Sequence, residues 1–554
     1  KKTDAVVERA RHNVHESTAN DRPSRYRLRI AVDMRCDRNA LTAGGGRAVV
    51  AAALLSSVVL FARAERVPIR VLAVQTIGAR GHWDFMSSVL RALVDRGHVV
   101  TAYTPHPDGG RANYTEVDVS KGLWQTADAT VTAARRQRGA AASVAASRHQ
   151  CDLVYGHYRM RELLRRARPP NRFDLVIAEP LMSDCAGHAA AELRLPLIYV
   201  TASPVIAYAE RAYTGHTPGP ASVSHAAASH AVPNTFSRRL ANAVQWAATV
   251  VSVTCAEVAF RHTEPRAYDS LGPVAPSLVF VNGHLVVDPA RPVATNVVNV
   301  GGIHFKTTKR LPKDILEFIE QSPDGVIYFT LGSTVKISTA PERIKKSIME
   351  ALSQLPQRVL MKYEDKLRCK PKNVMTKIRL PQRDILLHPK VKLFVSDGGV
   401  DGLYEAIDAG VPVLGFPLLL GQTRNIESLV SAGMAISMDL ISMSNDTLLK
   451  SILNLLNDQN YTNNARLASK IFKDRPMSPT QSVVYWTEYV LRHKGAPHLK
   501  SSAPNLMWYQ YYLLDIISVV LTLGFVILFV AYKGLKSFYN YYYNYSRDLK
   551  SKSQ

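Results

Sequence analysis

The sequence predicts an α/β fold: two Rossmann-like halves facing each other across a cleft, followed by one C-terminal transmembrane helix. Three observations carry this expectation. Apolar runs of strand length alternate with helical patterns in two separate parts of the chain. Residues 516–532 form an uncharged apolar stretch close to the shortest length (~17–25 residues) that crosses a bilayer. The chain has 554 residues, 47% hydrophobic and 21% charged, which is enough apolar surface for several folded domains. Five cysteines exclude a disulfide-stapled scaffold. The formal net charge of +24 includes +6 on residues 1–64 and +4 on residues 533–554. The remainder is spread without long basic runs, so a nucleic-acid partner is not expected.

From the N-terminus, residues 1–33 precede the first Met34 and show no periodicity; they are read as an upstream segment outside the fold. Residues 34–64 have a basic start (Arg35, Arg38, Arg47), an apolar run over 48–62 and an Ala-x-Ala end, the parts of a signal peptide. A strand is expected over 67–75, a turn over 77–82, and then a helix with Phe85, Val89, Leu90, Leu93 and Val94 on one face. Gly97 stops that helix before a strand over 99–103, completing a βαβ unit. Residues 111–168 are basic, Ala-rich and read as helical. A strand over 173–178, a helix through Ala190 and a strand over 196–201 repeat the unit. Residues 203–235 loosen into Gly, Pro, Ser and His. His216, His225 and His230 there have no Cys or carboxylate at ligand spacing, so the stretch reads as a solvated loop and not a metal site.

A second half follows the linker 301–312, with strands over 325–331, 358–363, 392–396 and 411–416 and helices over 340–355 and 402–409. The expected boundaries are 65–300 for the first half, 301–510 for the second, 513–532 for the membrane helix and 533–554 for the tail. Basic residues flank the span on both sides, so the signal peptide decides orientation: a lumenal bulk and a cytosolic tail. Lys550 and Lys552 near the terminus resemble a dilysine signal for the endoplasmic reticulum, and Asn113, Asn445 and Asn460 head glycosylation triplets.

Residues 380–425, with Ser-Asp-Gly-Gly-Val-Asp-Gly-Leu-Tyr-Glu-Ala at 396–406, resemble the signature of the UDP-glycosyltransferases. Phe-Thr-Leu-Gly-Ser at 329–333, Val-Leu-Arg-His-Lys-Gly-Ala-Pro-His-Leu at 490–499 and the membrane tail extend the likeness to the animal, membrane-anchored branch, with insect-like features. The resemblance implies a GT-B fold in which the first half, including residues 203–260, binds the acceptor and the second binds a UDP-sugar. It implies inverting transfer of a hexose, glucose by the insect likeness, to small lipophilic aglycones in detoxification or in hormone or pigment conjugation. The UDP-sugar is a co-substrate; no further cofactor and no metal is expected. Association with a second copy or a related transferase is left open. Physical chemistry supports the motif: Gly398 and Gly399, between a strand and a helix, let the backbone approach a phosphate at a helix N-terminus. The resemblance adds Ser333 on the diphosphate, Glu405 on the ribose, Gln422 on the sugar, and Gln382 within the donor site.

The chain departs from the family at four places. Arg379 stands where a Trp stacks on uracil, Asp397 where a His touches the diphosphate, Asp401 where an Asn stands, and Gly421 where an Asp stands. A carboxylate about 4 Å from a phosphate charge costs ~4 kcal/mol at an effective dielectric near 20. Donor affinity should fall by ~10²–10³ unless Asp397 is protonated, turned away or bridged by a cation. An impaired relative that binds lipophilic ligands or partner transferases is therefore the alternative expectation. For catalysis, the resemblance makes His82 the base that takes the acceptor proton, with a carboxylate orienting it. Two residues qualify: Glu179, favoured by its place at a strand tip, and Asp184, favoured by residue type.

Overall fold

A strand that is apolar on both faces must be covered on both, so repeated strand–helix units build parallel sheets sandwiched by helices. The computed structural model has this architecture. It describes residues 67–121, 140–165, 173–180, 184–203, 210–270, 274–332, 335–365, 367, 370–419 and 421–553. The upstream segment 1–33, the signal-peptide reading at 34–64 and Ser333 lie outside the described residues. The chain divides into two units, Lys1–Ile69 and Arg70–Gln554, and everything below concerns the second.

The front lobe runs β1 (Arg70–Val74), α1 (Arg80–Asp95), β2 (Val99–Thr104), β3 (Tyr114–Asp118), α2 (Ala140–Gly156), α3 (Tyr158–Arg165), β4 (Leu175–Ala178), α4 (His188–Leu193), β5 (Leu197–Thr201), α5 (Glu210–Thr214), α6 (Phe236–Thr263), β6 (Leu278–Val281) and β7 (Val297–Asn299). Its seven strands pair in parallel in the order β3-β2-β1-β4-β5-β6-β7. The rear lobe runs α7 (Lys313–Glu320), β8 (Val326–Phe329), α8 (Glu342–Ser353), β9 (Arg358–Lys362), β10 (Val374–Lys377), α9 (Gln382–Leu386), β11 (Val391–Ser396), α10 (Val400–Ala409), β12 (Val413–Gly415), α11 (Gln422–Ser431), β13 (Ala435–Ser437), α12 (Asn445–Asn457) and α13 (Gln459–Lys473). Its six strands are also parallel, ordered β10-β9-β8-β11-β12-β13.

The central strands are short and wholly buried, which is why they read as continuous apolar runs. Ile327, Phe329, Leu393 and Val395 face one core layer of the rear sheet, and Val326, Tyr328 and Phe394 the other. Each such side chain contributes about 1.5–3 kcal/mol on burial. One expectation is corrected: residues 111–168 are not helical throughout, because Tyr114–Asp118 pairs with β2 as the edge strand. Its Thr115, Glu116 and Asp118 face outward or sit half-buried, so no apolar run marks it.

After α13 the chain crosses back. α14 (Pro479–Arg492) packs on α1, with Glu488 lying 3.5 Å from His98 and 3.6 Å from Arg96, and Lys500 donates to the Ala275 carbonyl at 3.0 Å. α15 (Trp508–Tyr511) then leads into α16 (Leu514–Lys552), 39 residues long, exposed along its length and with an apolar 18-residue window. The helix begins where the membrane span is expected and continues past residue 532 through the tail. At ~1.5 Å per residue it is roughly 58 Å long, twice the hydrocarbon thickness of a bilayer.

Cys151 of α2 is joined to Cys185 by a disulfide, while Cys255 is free and exposed. This answers the pairing that spacing alone leaves open. The bridge closes a loop of 34 residues, and the loop-entropy relation gives it about 4 kcal/mol. Replacing both Cys151 and Cys185 by Ala should lower front-lobe stability by roughly 3–4 kcal/mol, read as a fall in thermal midpoint, and Cys255→Ser should leave it unchanged.

Candidate active site between the two sheets

Each sheet reverses its strand order once, between β1 and β4 in front and between β8 and β11 behind. Open parallel sheets bind ligands at such reversals, beyond the carboxyl ends of the strands. In the front sheet, pairing of β1 with β4 brings Val74 opposite Ala178, so the residues that follow both strands emerge together. Thr76 donates its hydroxyl to the Glu179 carbonyl at 2.6 Å and locks the two strand ends.

Glu179 is 2% exposed, and three donors hold it: His82 Nδ1 at 2.7 Å and the Ala202 N–H at 3.2 Å on one oxygen, Gln75 Nε2 at 2.9 Å on the other. A carboxylate only accepts, so Nδ1 carries the proton and Nε2 is left with its lone pair. His82 lies within the first turn of α1, not in the loop before it as the sequence suggests; Ala79 in an extended conformation starts the helix early. The side chain remains 30% exposed. Burial disfavours its charged form, but the Glu179 charge, the hydrogen bond to it and the Asp401 charge outweigh burial and raise the His82 pKa above its ordinary value near ~6.5. Asp184 begins the short 3₁₀ turn Asp184–Gly187, and the residue paired with the imidazole is Glu179.

In the rear lobe, β11 ends at Ser396 and Asp397-Gly398-Gly399 turns the chain into α10. Gly398 has φ +86°, and a Cβ there would lie 2.7 Å from Ile426 Cγ1, so only glycine fits the turn. Gly399 caps α10 without a side-chain hydrogen bond, leaving first-turn N–H groups and the positive helix end for an anion. Asp397, 7% exposed, occupies this turn: Gln422 donates to it at 2.6 Å and the Gly399 N–H at 3.3 Å. Burial pushes its pKa up, while those hydrogen bonds and the charge of nearby Lys362 act the other way. Lys362, at the end of β9, donates to the Gly332 carbonyl at 2.6 Å. Burial lowers its pKa, with Glu364 and Asp397 opposing.

Gln422 is fully engaged: its Oε1 accepts from the Leu418 and Leu419 N–H groups at 2.9 and 2.7 Å, and its amide nitrogen holds Asp397. Glu405, one turn into α10, accepts from Gln382 Nε2 at 2.8 Å, and Tyr328 donates to Gln382 Oε1 at 3.3 Å. Burial raises the Glu405 pKa, opposed first by the charge of His304. Arg379 lies exposed just after β10.

Residues that the sequence reading misses join the lobes. Asn282, just after β6, donates to Asp401 of α10 at 2.8 Å, and the His304 ring stands 3.4 Å from Asp401 and 4.0 Å from Glu405. Nearby, Arg291 pairs with Glu210 at 2.6 Å and with Asp288 at 3.5 Å, while Asp288 also binds Arg424 of α11. Asp401, in the first turn of α10, accepts from Asn282, and its charge reaches the His82 imidazole. Asp401 is the one member of this group with a local signal, since it replaces an Asn of the resembled signature.

An imidazole held by a buried carboxylate in one Rossmann-like lobe, with a glycine-turned helix N-terminus in the other, fits the arrangement of a GT-B glycosyltransferase. Solved structures agree on the fold: the glycotransferase of kitacinnamycin superposes with a TM-score of 0.51 at 17% identity, covering 76% of this chain and 99% of that one. The calicheamicin glycosyltransferase CalG4 gives 0.51 at 15%, covering 77% and 99%. The family model described as UDP-glucoronosyl and UDP-glucosyl transferase matches residues 70–551. UDP-glucosyltransferase 2 of Dactylopius coccus is 34% identical over 87% of this chain and 95% of its own length. UDP-glucuronosyltransferase 2C1 of Oryctolagus cuniculus is 34% identical over 71% and 78%. The chain belongs to the UDP-glycosyltransferase family, and with that membership comes sugar transfer from a UDP-linked donor to an acceptor.

The raised His82 pKa gives a testable sign. Pairing with Glu179 stabilises the fold fully below the unfolded value near ~6.5 and is lost as pH rises through the higher folded value. An NMR titration should find the His82 imidazole titrating above its ordinary value, and Glu179→Gln should move it down.

Proposed function

We propose that this chain is an inverting hexosyltransferase in which His82 is the general base, Glu179 orients it, and the α10 N-terminus receives the donor diphosphate. The observation that carries this reading is the 2.7 Å contact between His82 and buried Glu179, set opposite Asp401 of α10. In the reaction, Nε2 of His82 takes the proton of an acceptor hydroxyl as its oxygen attacks the anomeric carbon. The carbon–oxygen bond to UDP breaks on the opposite face, and UDP leaves with the electron pair. Glu179 stabilises the imidazolium until it releases its proton. First-turn N–H groups of α10, with the Ser333 hydroxyl, meet the developing diphosphate charge, and the Gly398 and Gly399 N–H groups join them once released from Ser396 and Asp397. Glu405, supported by Gln382, takes the ribose hydroxyls; the Arg379 guanidinium stacks on uracil; Gln422 turns from Asp397 to the sugar. No resident metal or other cofactor is called for.

The donor sugar in this reading is glucose. Asp397, Asp401, Glu405 and Glu179 give the cleft four carboxylates, which favour a neutral hexose over one bearing its own carboxylate. The acceptors are small lipophilic alcohols and phenols bound by the front lobe. α16 supports a single-pass anchor and the signal-peptide pattern supports a lumenal catalytic part, with the Lys550 and Lys552 tail matching residence in the endoplasmic reticulum. A second reading, a weakened relative that holds lipophilic ligands or partner transferases, is favoured by one observation only: Asp397 sits in the diphosphate turn.

The two readings separate in one experiment on the purified full-length chain. Micromolar UDP binding with turnover of a phenol supports the enzyme; millimolar binding without turnover supports the second reading. His82→Ala should lower kcat by ~10²–10⁴ with UDP affinity unchanged. Asp397→His combined with Gly421→Asp should tighten UDP by roughly tenfold or more. Gly421 has open space and a left-handed φ of +88°, which Asp tolerates better than most residues. If the double change leaves UDP affinity where it was, Asp397 is not what limits donor binding.

A further inference from the structure

α6 has two long faces of different character. On the inner one, Asn242, Trp246, Val253 and Ala256 are buried against the front lobe. On the outer one, Phe236, Leu240, Val244, Val251 and Val258 are 49–73% exposed. Their spacing of four and seven residues places them on a single helical stripe opposite the buried face. The stripe spans 22 steps of the helix, roughly 33 Å. A continuous apolar band of that length on one helix is a contact surface and not scattered exposure.

The fold indicates what meets it. The Thr217 N–H donates to the Tyr511 hydroxyl at 3.1 Å, and Tyr511 closes α15 just before the α16 anchor. Three residues on from Thr217, the Pro220 carbonyl accepts from Asn242 of α6 at 2.6 Å, and Val223 accepts from Asn242 at 2.8 Å. Three residues reach at most ~11 Å, so this end of α6 is tied close to the root of the anchor. Trp508, Tyr509 and Tyr512 stand exposed at the same root, residue types that settle at a membrane–water boundary. Exposed Arg238 and Arg239 near the start of α6 suit anionic headgroups. The helix has the length and hydropathy of a membrane span, yet its inner face is committed to the lobe.

We propose that the outer face of α6 lies in the plane of the bilayer, buried in the boundary between headgroups and acyl chains of one leaflet. This rests on the reading of α16 as a membrane anchor. The same helix reaches the candidate site: Thr249 meets the ring of His225, and the neighbouring Ala226 carbonyl accepts from the Gly421 N–H of the rear lobe at 3.1 Å. A lipid-dissolved acceptor would therefore leave the membrane beside the loop that borders the donor site.

The test uses the full chain in phosphatidylcholine vesicles containing nitroxide-labelled lipid, with Cys36, Cys255 and Cys369 replaced by Ser. A fluorophore is attached through Val251→Cys on α6, Val526→Cys on α16, or Lys346→Cys on α8. Quenching at 251 should approach that at 526 and exceed that at 346 several-fold. Quenching at 526 but only background quenching at 251 overturns the α6 contact while leaving the anchor intact. Background quenching at both sites overturns the contact and the anchor reading together. Energy transfer between labelled copies at 251, without lipid quenching, assigns the stripe to a second copy and also overturns the proposal. In a parallel assay, Leu240→Asp with Val251→Asp should raise KM at least tenfold for a long-chain alkylphenol. A KM that does not move contradicts the proposed route of entry.

Discussion

A single charge kept out of water organises the front lobe. The Glu179 carboxylate is almost wholly buried, and such a group is tolerable only if every lone pair that matters has a donor. Those donors come from three separate places: Gln75 after β1, the Ala202 N–H after β5 and the imidazole of His82 on α1. Satisfying one carboxylate therefore fixes the relative positions of three strand ends and the first turn of a helix. The imidazole is oriented as a by-product of solving a burial problem, and with Nδ1 committed to Glu179 its Nε2 keeps the lone pair.

The rear lobe presents the opposite situation. A helix N-terminus built for an anion already holds one, because Asp397 lies in its turn and Gln422 is occupied in hydrogen-bonding it. Burial shifts Asp397 toward its neutral form, which lessens the conflict with a phosphate, and Lys362 lies near enough for its charge to act on it. The loop carbonyl of Gly332 ties that lysine to the strand tip. In the proposed reaction Gln422 exchanges partners to reach the donor, a step that a His at position 397 would not demand. Asn282 and His304 bring the lobes together on Asp401 and Glu405.

Much of the fold was legible because parallel strands buried on both faces leave contiguous apolar runs, as in β4 and β8. β3 escaped because an edge strand with half-exposed Thr115, Glu116 and Asp118 carries no such mark. The donor turn was legible because glycine is required there by the backbone itself. The choice between Glu179 and Asp184 was not, since it depends on the register of β4 against β1, a pairing between segments about a hundred residues apart. Asn282 and His304 were invisible for the same reason: their partners on α10 are far away in sequence, and nothing local distinguishes them from ordinary loop residues.

The central claim is that an imidazole in the front lobe activates the acceptor oxygen while the rear lobe carries away the diphosphate from the other side. The stereochemistry of the product records that geometry directly. Given UDP-α-glucose and a simple phenol, proton NMR of the product should show the β-glucoside. An α-glucoside would require attack from the same side as departure, and would contradict the assignment of His82 to the face opposite UDP.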